Sequence, residues 1–191
     1  MKEIMKDIIK EYLKKFPNEL ERLNTLINYI NENKSEDIID WNNFNGHIVA
    51  SGFVYDKSEK KFLVLYHNDM KMYLYPGGHI SEFDLNPLEA AKREVKEETG
   101  LFNLKLLKIS DNELVPFDID THIISYNERL NLPEHYHFDI RYLFEVENIK
   151  NVKIDEEELR DYKWISFEEL KNESNFGNVI LKLERIIGED L

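Results

Sequence analysis

The 191-residue chain is predicted to fold as a mixed α/β (α+β) domain preceded by a short helical extension, on three observations. From His47 onward most segments alternate polar and apolar residues with the period of strands. One sharply bounded helix interrupts them, between Asn86-Pro87 and Gly100. A capping-box sequence, Ser166-Phe-Glu-Glu169, then opens a helical C-terminal segment.

Residues 1–44 carry the helical period. Ile4, Ile8, Ile9, Tyr12 and Leu13 share one stripe, which Pro17 interrupts. Leu20, Leu23, Ile27 and Ile30 form a second stripe, ending in the polar run Asn31 to Ser35. Each helix has an apolar face to cover, either on the domain that follows or on a second subunit. The chain therefore divides into a helical extension, 1–44, and a domain, 45–191.

Strands are expected at 47–55 and 61–66, joined as a hairpin by the polar turn Asp56-Lys-Ser-Glu-Lys60. A short strand at 72–75 leads into Pro76-Gly77-Gly78, where the chain is expected to turn sharply and expose a backbone carbonyl. Asn86 or Asp84 can cap the central helix, Pro87 suits its first position, and Gly100 suits the left-handed residue after its end. Further strands are expected at 104–110, 117–124, 137–146 and 162–165. The segments around 117–124 and 137–146 should form a hairpin across the loop 125–134.

Composition narrows the function. With 38 acidic against 25 basic side chains, the net charge of -13 disfavours long nucleic acid and anionic membrane surfaces. The first 44 residues hold 7 basic and 9 acidic side chains, so nearly all of that excess falls in the following domain. A 42% hydrophobic content with 12% aromatics suits a packed domain rather than a disordered acidic chain. No apolar run is long enough to span a membrane, and Met1-Lys-Glu-Ile-Met-Lys6 lacks the pattern of a secretory signal, so a cytoplasmic location is expected. The absence of cysteine excludes disulfides, thiolate metal sites and cysteine nucleophiles.

The central helix carries the chemistry. In Arg93-Glu94-Val95-Lys96-Glu97-Glu98-Thr99-Gly100-Leu101 the three glutamates are three and four positions apart and share one face. Unaided, such like charges cost a helix roughly 0.2–0.5 kcal/mol per pair. A divalent cation reverses that sign, and an oxygen-only set favours Mg2+ or Mn2+. Arg93 can orient a carboxylate through its fixed fork of donors.

This segment resembles the Nudix hydrolase box, G-x5-E-x7-R-E-U-x-E-E-x-G-U with U aliphatic. Gly78 and the run from Arg93 to Leu101 match; Asp84 stands where the family has Glu, and the interval from Gly78 to Arg93 is one residue longer. An extra residue in the loop before Asn86-Pro87 absorbs the difference. The resemblance implies an α/β/α sandwich around a mixed sheet, and metal-dependent hydrolysis of a pyrophosphate bond in a nucleoside diphosphate-linked or similar small substrate. It implies metal ligation by Glu97, Glu98 and the carbonyl of Gly78. Glu94 would serve as ligand or as general base, with Arg93 orienting the carboxylates. It also implies a further carboxylate from a later loop, for which Asp155-Glu-Glu-Glu158 supplies Glu158 first and Glu157 second. A homodimer is compatible with the family and with the amphipathic extension. The alternative is a nucleotide-binding or regulatory module of the same fold without catalysis, disfavoured by the intact Arg93, Glu94, Glu97 and Glu98.

A second polar cluster emerges from period-two alternation. Asp118, Asp120 and His122 share one strand face, as do His135, His137, Asp139 and Arg141 on the next. These faces are expected to line the substrate side of the sheet together with His79: Arg141 holding phosphate, His122 and His137 as hydrogen-bonding or acid/base groups. A second metal site built from the histidines is the alternative. Trp41 and Phe44 are expected to seal the junction with the extension, Trp164 to pack in the core, and Tyr73 and Tyr75 to be candidates for stacking on substrate.

Overall fold

A computed structural model of the protein describes residues 1–126, 131–147, 152–173 and 176–188. The helical extension forms α1 (Lys2–Lys15) and, after a single 3-10 turn at Pro17–Glu19, α2 (Leu20–Glu32). Eight strands follow in one mixed sheet: β1 (His47–Asp56), β2 (Lys61–His67), β3 (Met72–Leu74), β4 (Gly77–His79), β5 (Lys105–Leu106), β6 (Asp118–Ile124), β7 (His135–Val146) and β8 (Leu159–Ser166). The central helix is α3 (Pro87–Thr99), and α4 (Phe167–Asn172) and α5 (Gly177–Ile187) close the chain. The fold class read from the sequence is the one observed.

The long strands β1 and β7 run parallel in the middle, with His47 opposite His137 and Ser51 opposite Arg141. β2 joins β1 as the expected hairpin and carries β3 and β8, whereas β6 returns antiparallel along β7. The loop between β6 and β7 lies partly outside the described residues. Two local expectations need correction. The stretch 104–110 keeps only the two-residue β5, paired with Leu106 opposite Phe144. Gly77-Gly78 is not a sharp turn but part of strand β4, paired with Ser51 and Ala50 of β1, and neither glycine has a positive φ.

Each sheet face has its own core. On one, α3 packs Leu88, Ala91 and Val95 onto Ile48, Ala50, Ile140 and Phe144, and α1 and α2 extend the same core with Met5, Ile8, Leu23 and Leu26. Close approach of α3 depends on Gly52, where an added Cβ would lie 2.5 Å from Val95 Cγ2. On the other face, α4 and α5 cover Phe53, Phe62, Val64 and Leu143.

α3 begins and ends where its sequence signals lie. Asn86 Oδ1 accepts a hydrogen bond from the Glu89 N–H at 3.0 Å, and Gly100 takes the left-handed conformation at φ 71°.

The extension is also tied down ionically. Buried Asp118 accepts from Lys182 of α5 at 2.6 Å and from Arg22 of α2 at 3.2 Å, and Lys182 reaches Tyr12 of α1 and Glu19 (2.7 Å to the carboxylate). Burial would raise the Asp118 carboxyl, but Arg141, Lys182 and Arg22 outweigh it and hold its pKa below the usual range.

Trp41 and Phe44 do not seal the junction; both are exposed, their rings 6.4 Å from His79 and 5.9 Å from His135. Tyr29 does that work instead, stacking on Phe138 at 4.7 Å and donating its hydroxyl to the Gly46 carbonyl.

Candidate active site

Glu94, Glu97 and Glu98 project from α3 toward β4, and their environments differ. Glu98 is 5% exposed, the Glu94 side chain 14% and the Glu97 side chain 58%. The Gly77 N–H donates to Glu98 Oε2 at 2.8 Å. At Gly78 a Cβ would sit 2.7 Å from Glu94 Oε2, so only glycine leaves that carboxylate its place. Gly77 is required by close approach to Ser51, where a Cβ would meet Oγ at 2.3 Å and the backbone Cα at 2.8 Å, whereas at Gly78 a Cβ would push the Glu94 carboxylate out of its position.

Arg93 is the hub of the site. Its Nη1 donates to Glu94 Oε1 at 2.8 Å and to Glu97 Oε2 at 2.7 Å, and its Nη2 donates to the His79 carbonyl at 2.8 Å. The other side of the fork grips Asp84, with Nε to Oδ1 at 3.2 Å and Nη2 to Oδ2 at 2.9 Å. Asp84 Oδ2 also accepts the Ser81 N–H at 2.8 Å. The shorter side chain at position 84 and the longer loop thus combine to deliver a carboxylate to Arg93.

Glu94 Oε2, Glu97 Oε1 and Glu98 Oε1 are left without hydrogen-bond partners among the described residues. Burial raises the pKa of Glu94 to about 6 against the pull of Arg93, and raises that of Glu98 to about 8 against its bond to the Gly77 N–H. Glu158 is close enough for its charge to oppose ionisation of both, which brings the acidic loop up to the same face. Oxygen donors held together at a cost in charge fit a hard divalent cation.

The sign of that cost gives an expected result. A carboxyl whose folded pKa lies above its unfolded value of 4.5 binds more protons when folded, so it loses stability as pH rises toward 8. Metal-free protein should therefore melt lower at pH 8 than at pH 5.5, by about 2–4 °C for each kcal/mol lost. Mg2+ should raise Tm more at pH 8, measured by calorimetry with and without EDTA. An equal metal effect at both pH values would contradict the reading.

The second cluster lies on the opposite face of the sheet. Arg141, whose side chain is 7% exposed, is bound by three carboxylates: Nη1 to Asp118, Nη2 to Asp120 and Nε to Asp139, each at 2.9 Å. Asp139 also accepts from Ser51 Oγ at 2.7 Å and from the Tyr75 hydroxyl at 2.8 Å. These partners leave Arg141 committed to the interior, which argues against the expected phosphate role, and they likewise remove Asp139 from solvent. Tyr75 is committed too, stacked on Phe53 at 4.2 Å beneath the Arg141 guanidinium. Tyr73 donates to Asp161, and Trp164 packs partly buried against the core.

The histidines gather at the end of this face. His137 is joined by His79 from β4, by His122, whose Nδ1 lies 3.1 Å from Asp120, by His135 of its own strand face, and by one ring the sequence does not single out, His47. Burial, reinforced by neighbouring imidazoles, lowers His47 to about 4 and His137 to about 2; His79, whose edge reaches solvent, is lowered by desolvation of the part of its ring that packs among the others and by the nearby charges of His135 and Arg93. These three rings are therefore neutral near pH 7. Only parallel pairing of β1 with β7 reveals His47, and alternation within one strand carries no such information.

The family model for the NUDIX domain matches residues 46–183. The chain belongs to the NUDIX family. A probable DHNTP pyrophosphohydrolase of Lactococcus lactis subsp. cremoris is 39% identical over 98 residues, 51% of this chain and 53% of that protein. The match thus spans about half the length of that relative. Among solved structures, a NUDIX-family hydrolase of Clostridium perfringens is 28% identical with a TM-score of 0.56, over 75% of this chain and 97% of the other. The dihydroneopterin triphosphate pyrophosphohydrolase of E. coli shares the fold at 16% identity, with a TM-score of 0.56 over 74% and 95% of the two chains. The NUDIX match begins just after α2, and among the described residues no helix is long and apolar enough to cross a membrane.

Proposed function

We propose that the protein is a metal-dependent pyrophosphohydrolase of small, nucleotide-derived triphosphates or diphosphates, with residues 1–44 as an extension braced on the NUDIX domain. The observation that carries this is the Arg93 hub, which gathers Glu94, Glu97 and Asp84 beside the Gly77–Glu98 contact. Glu94, Glu97 and Glu98, with the Gly78 carbonyl and Glu158, would hold Mg2+ or Mn2+. Bound there, the ion neutralises phosphate oxygens and lowers the pKa of the attacking water.

The chain's own residues supply the rest. Glu94, with a pKa of about 6, is ionised at neutral pH and accepts the proton of the water that attacks phosphorus. The phosphorus–oxygen bond of the bridge then breaks and the leaving phosphate departs. Arg93 fixes the Glu94 and Glu97 carboxylates, and the Gly77 N–H fixes Glu98. On the opposite face, half-exposed His122 is the member of the cluster we assign to substrate contact.

The partial identity to a probable DHNTP pyrophosphohydrolase supports a pteridine triphosphate as the first substrate to try. The experiment is a panel with Mg2+: dihydroneopterin triphosphate, a dinucleoside polyphosphate, ADP-ribose and an oxidised nucleoside triphosphate, with phosphate and pyrophosphate release measured. Turnover of at least one compound, lost in Glu97→Gln, is the expected result. Turnover undiminished in Glu97→Gln would overturn the metal assignment, and no turnover of any compound would favour a binding module.

A further inference from the structure

We propose that His47, His79 and His137 form a second metal site, suited to a borderline transition ion such as Zn2+ and separate from the carboxylate face. One ring nitrogen from each of the three lies within 4.8 Å of the others. The ligands come from β1, β4 and β7, and the sheet sets their positions: His47 is paired with His137, and His79 with Val49 two residues along from His47. All three side chains rise from the face opposite α3.

The strongest sign is His47 itself. It is 1% exposed, and neither ring nitrogen meets a partner in well-formed hydrogen-bond geometry; the backbone of Asn43 lies near the ring but out of line for a full bond. A buried polar group left unpaired costs about 1–3 kcal/mol, so a buried imidazole aimed at two others calls for an occupant. A water could satisfy one nitrogen, whereas three convergent imidazoles match the donor set of a Zn2+ centre with three protein ligands.

The surroundings support coordination. His135 Nδ1 lies 2.7 Å from the Pro133 carbonyl, which requires the proton on that nitrogen. In that tautomer His135 Nε2 is an acceptor, and its 3.2 Å contact with His137 Nε2 places the shared proton on His137. That leaves the His137 Nδ1 lone pair available, fixed in the manner of an outer-sphere partner.

Zn–N bonds of about 2.0–2.1 Å in tetrahedral geometry bring the nitrogens to roughly 3.4 Å apart. The rings must therefore draw inward, which exposed His79 can do by rotation. The same residue gives the ion a path in from solvent, and a fourth position would be left for water or an anionic oxygen.

The site and the carboxylate face differ in ligand chemistry: nitrogen donors prefer Zn2+ over Mg2+, and carboxylates with water suit Mg2+. They touch at one residue, since His79 follows Gly78 and its carbonyl accepts from Arg93. An ion on His79 would brace β4 against β1 and β7 where the carboxylate face begins.

The test uses untagged full-length protein, stripped of metal and then held in excess Mg2+. Zn2+ binding is measured by competition with a chromogenic chelator, and Co2+ is added separately to read its visible spectrum. A single tightly held equivalent of Zn2+ is expected, with Co2+ bands of tetrahedral or five-coordinate type. His79→Ala should weaken Zn2+ binding by about 100-fold or more, beyond the range for loss of an outer-sphere partner. His137→Gln should do the same, with circular dichroism checking its fold; the exposed His79 variant stands if that one fails to fold. Glu97→Gln should leave Zn2+ binding unchanged. The proposal is overturned by any of three outcomes: no stoichiometric Zn2+ in the presence of Mg2+, affinity unchanged in His79→Ala, or binding lost in Glu97→Gln. The first would leave the histidines as a packed aromatic cluster.

Discussion

Glu94→Gln is expected to lower kcat by about 10²–10⁴-fold, the range for removing a general base. The amide keeps the size of the side chain and can still accept from Arg93 Nη1, so the local packing over Gly78 survives. What disappears is the proton acceptor and one negative oxygen. The variant should fold at least as well as wild type without metal, because the group removed is a largely buried carboxylate that ionises at a cost. Its pH profile carries the sharper signature. Wild-type kcat should fall as pH drops through about 6, where Glu94 takes up its proton, and the residual activity of the variant should lack that limb. Steady-state kinetics between pH 5 and 9 provide both readings; a kcat within twofold of wild type would remove Glu94 from the chemistry.

Arg141→Ala is expected to be the most destabilising single change on the other face. It strands Asp118, Asp120 and Asp139, each now 2.9 Å from a guanidinium nitrogen, in a buried site. Removing one partner of a buried ion pair typically costs about 3–5 kcal/mol. For a domain of this size that is a fall in Tm of roughly 6–20 °C. Lys182 and Arg22 offset part of the loss at Asp118, but Asp139 keeps only the Ser51 and Tyr75 hydroxyls. Thermal melts at pH 7 decide the matter. If Arg141 instead holds phosphate, Arg141→Lys would raise KM with little change in Tm. A large drop in Tm with KM unchanged in the surviving fraction is the outcome this structure predicts.

These two residues also mark how far the sequence could be read. Glu94 belongs to a constellation set within one helix, where spacing alone places Glu97 and Glu98 on the same face. The caps at Asn86 and Gly100 were equally legible, because capping depends on neighbours in the chain. Arg141 was legible only as a polar residue on a strand face. Its true partners come from β6 and from its own strand, and they are joined through Asp118 to Lys182 of α5 and Arg22 of α2, far away in sequence. No periodicity reveals that an arginine will be surrounded by three carboxylates.

Gly77-Gly78 shows the same limit in another form. A glycine pair suggested a turn, since conformational freedom is the usual reason for glycine. Here the reason is contact with Ser51 and Glu94, which exists only after β4 pairs with β1 and α3 packs over it. The amphipathic stripes of α1 and α2 announced that a surface would be covered. They did not say that it would be the face already carrying α3, with Tyr12 reaching the Asp118 network. His47 went unnoticed because a histidine at the start of an apolar strand acquires chemistry only from the strand beside it.

The proposed hydrolysis depends above all on Glu94, Glu97 and Glu98 acting as ligands of a divalent cation. Mn2+ binding, followed by the electron paramagnetic resonance signal of the free ion, tests this without any substrate. Wild-type protein at pH 7.5 should deplete the free-ion signal, and Mg2+ should compete. Glu98→Gln, which replaces the most buried of these three carboxylates, should bind Mn2+ at least about tenfold more weakly. Equal depletion by wild type and Glu98→Gln would contradict the metal face itself, and with it the function proposed for the protein.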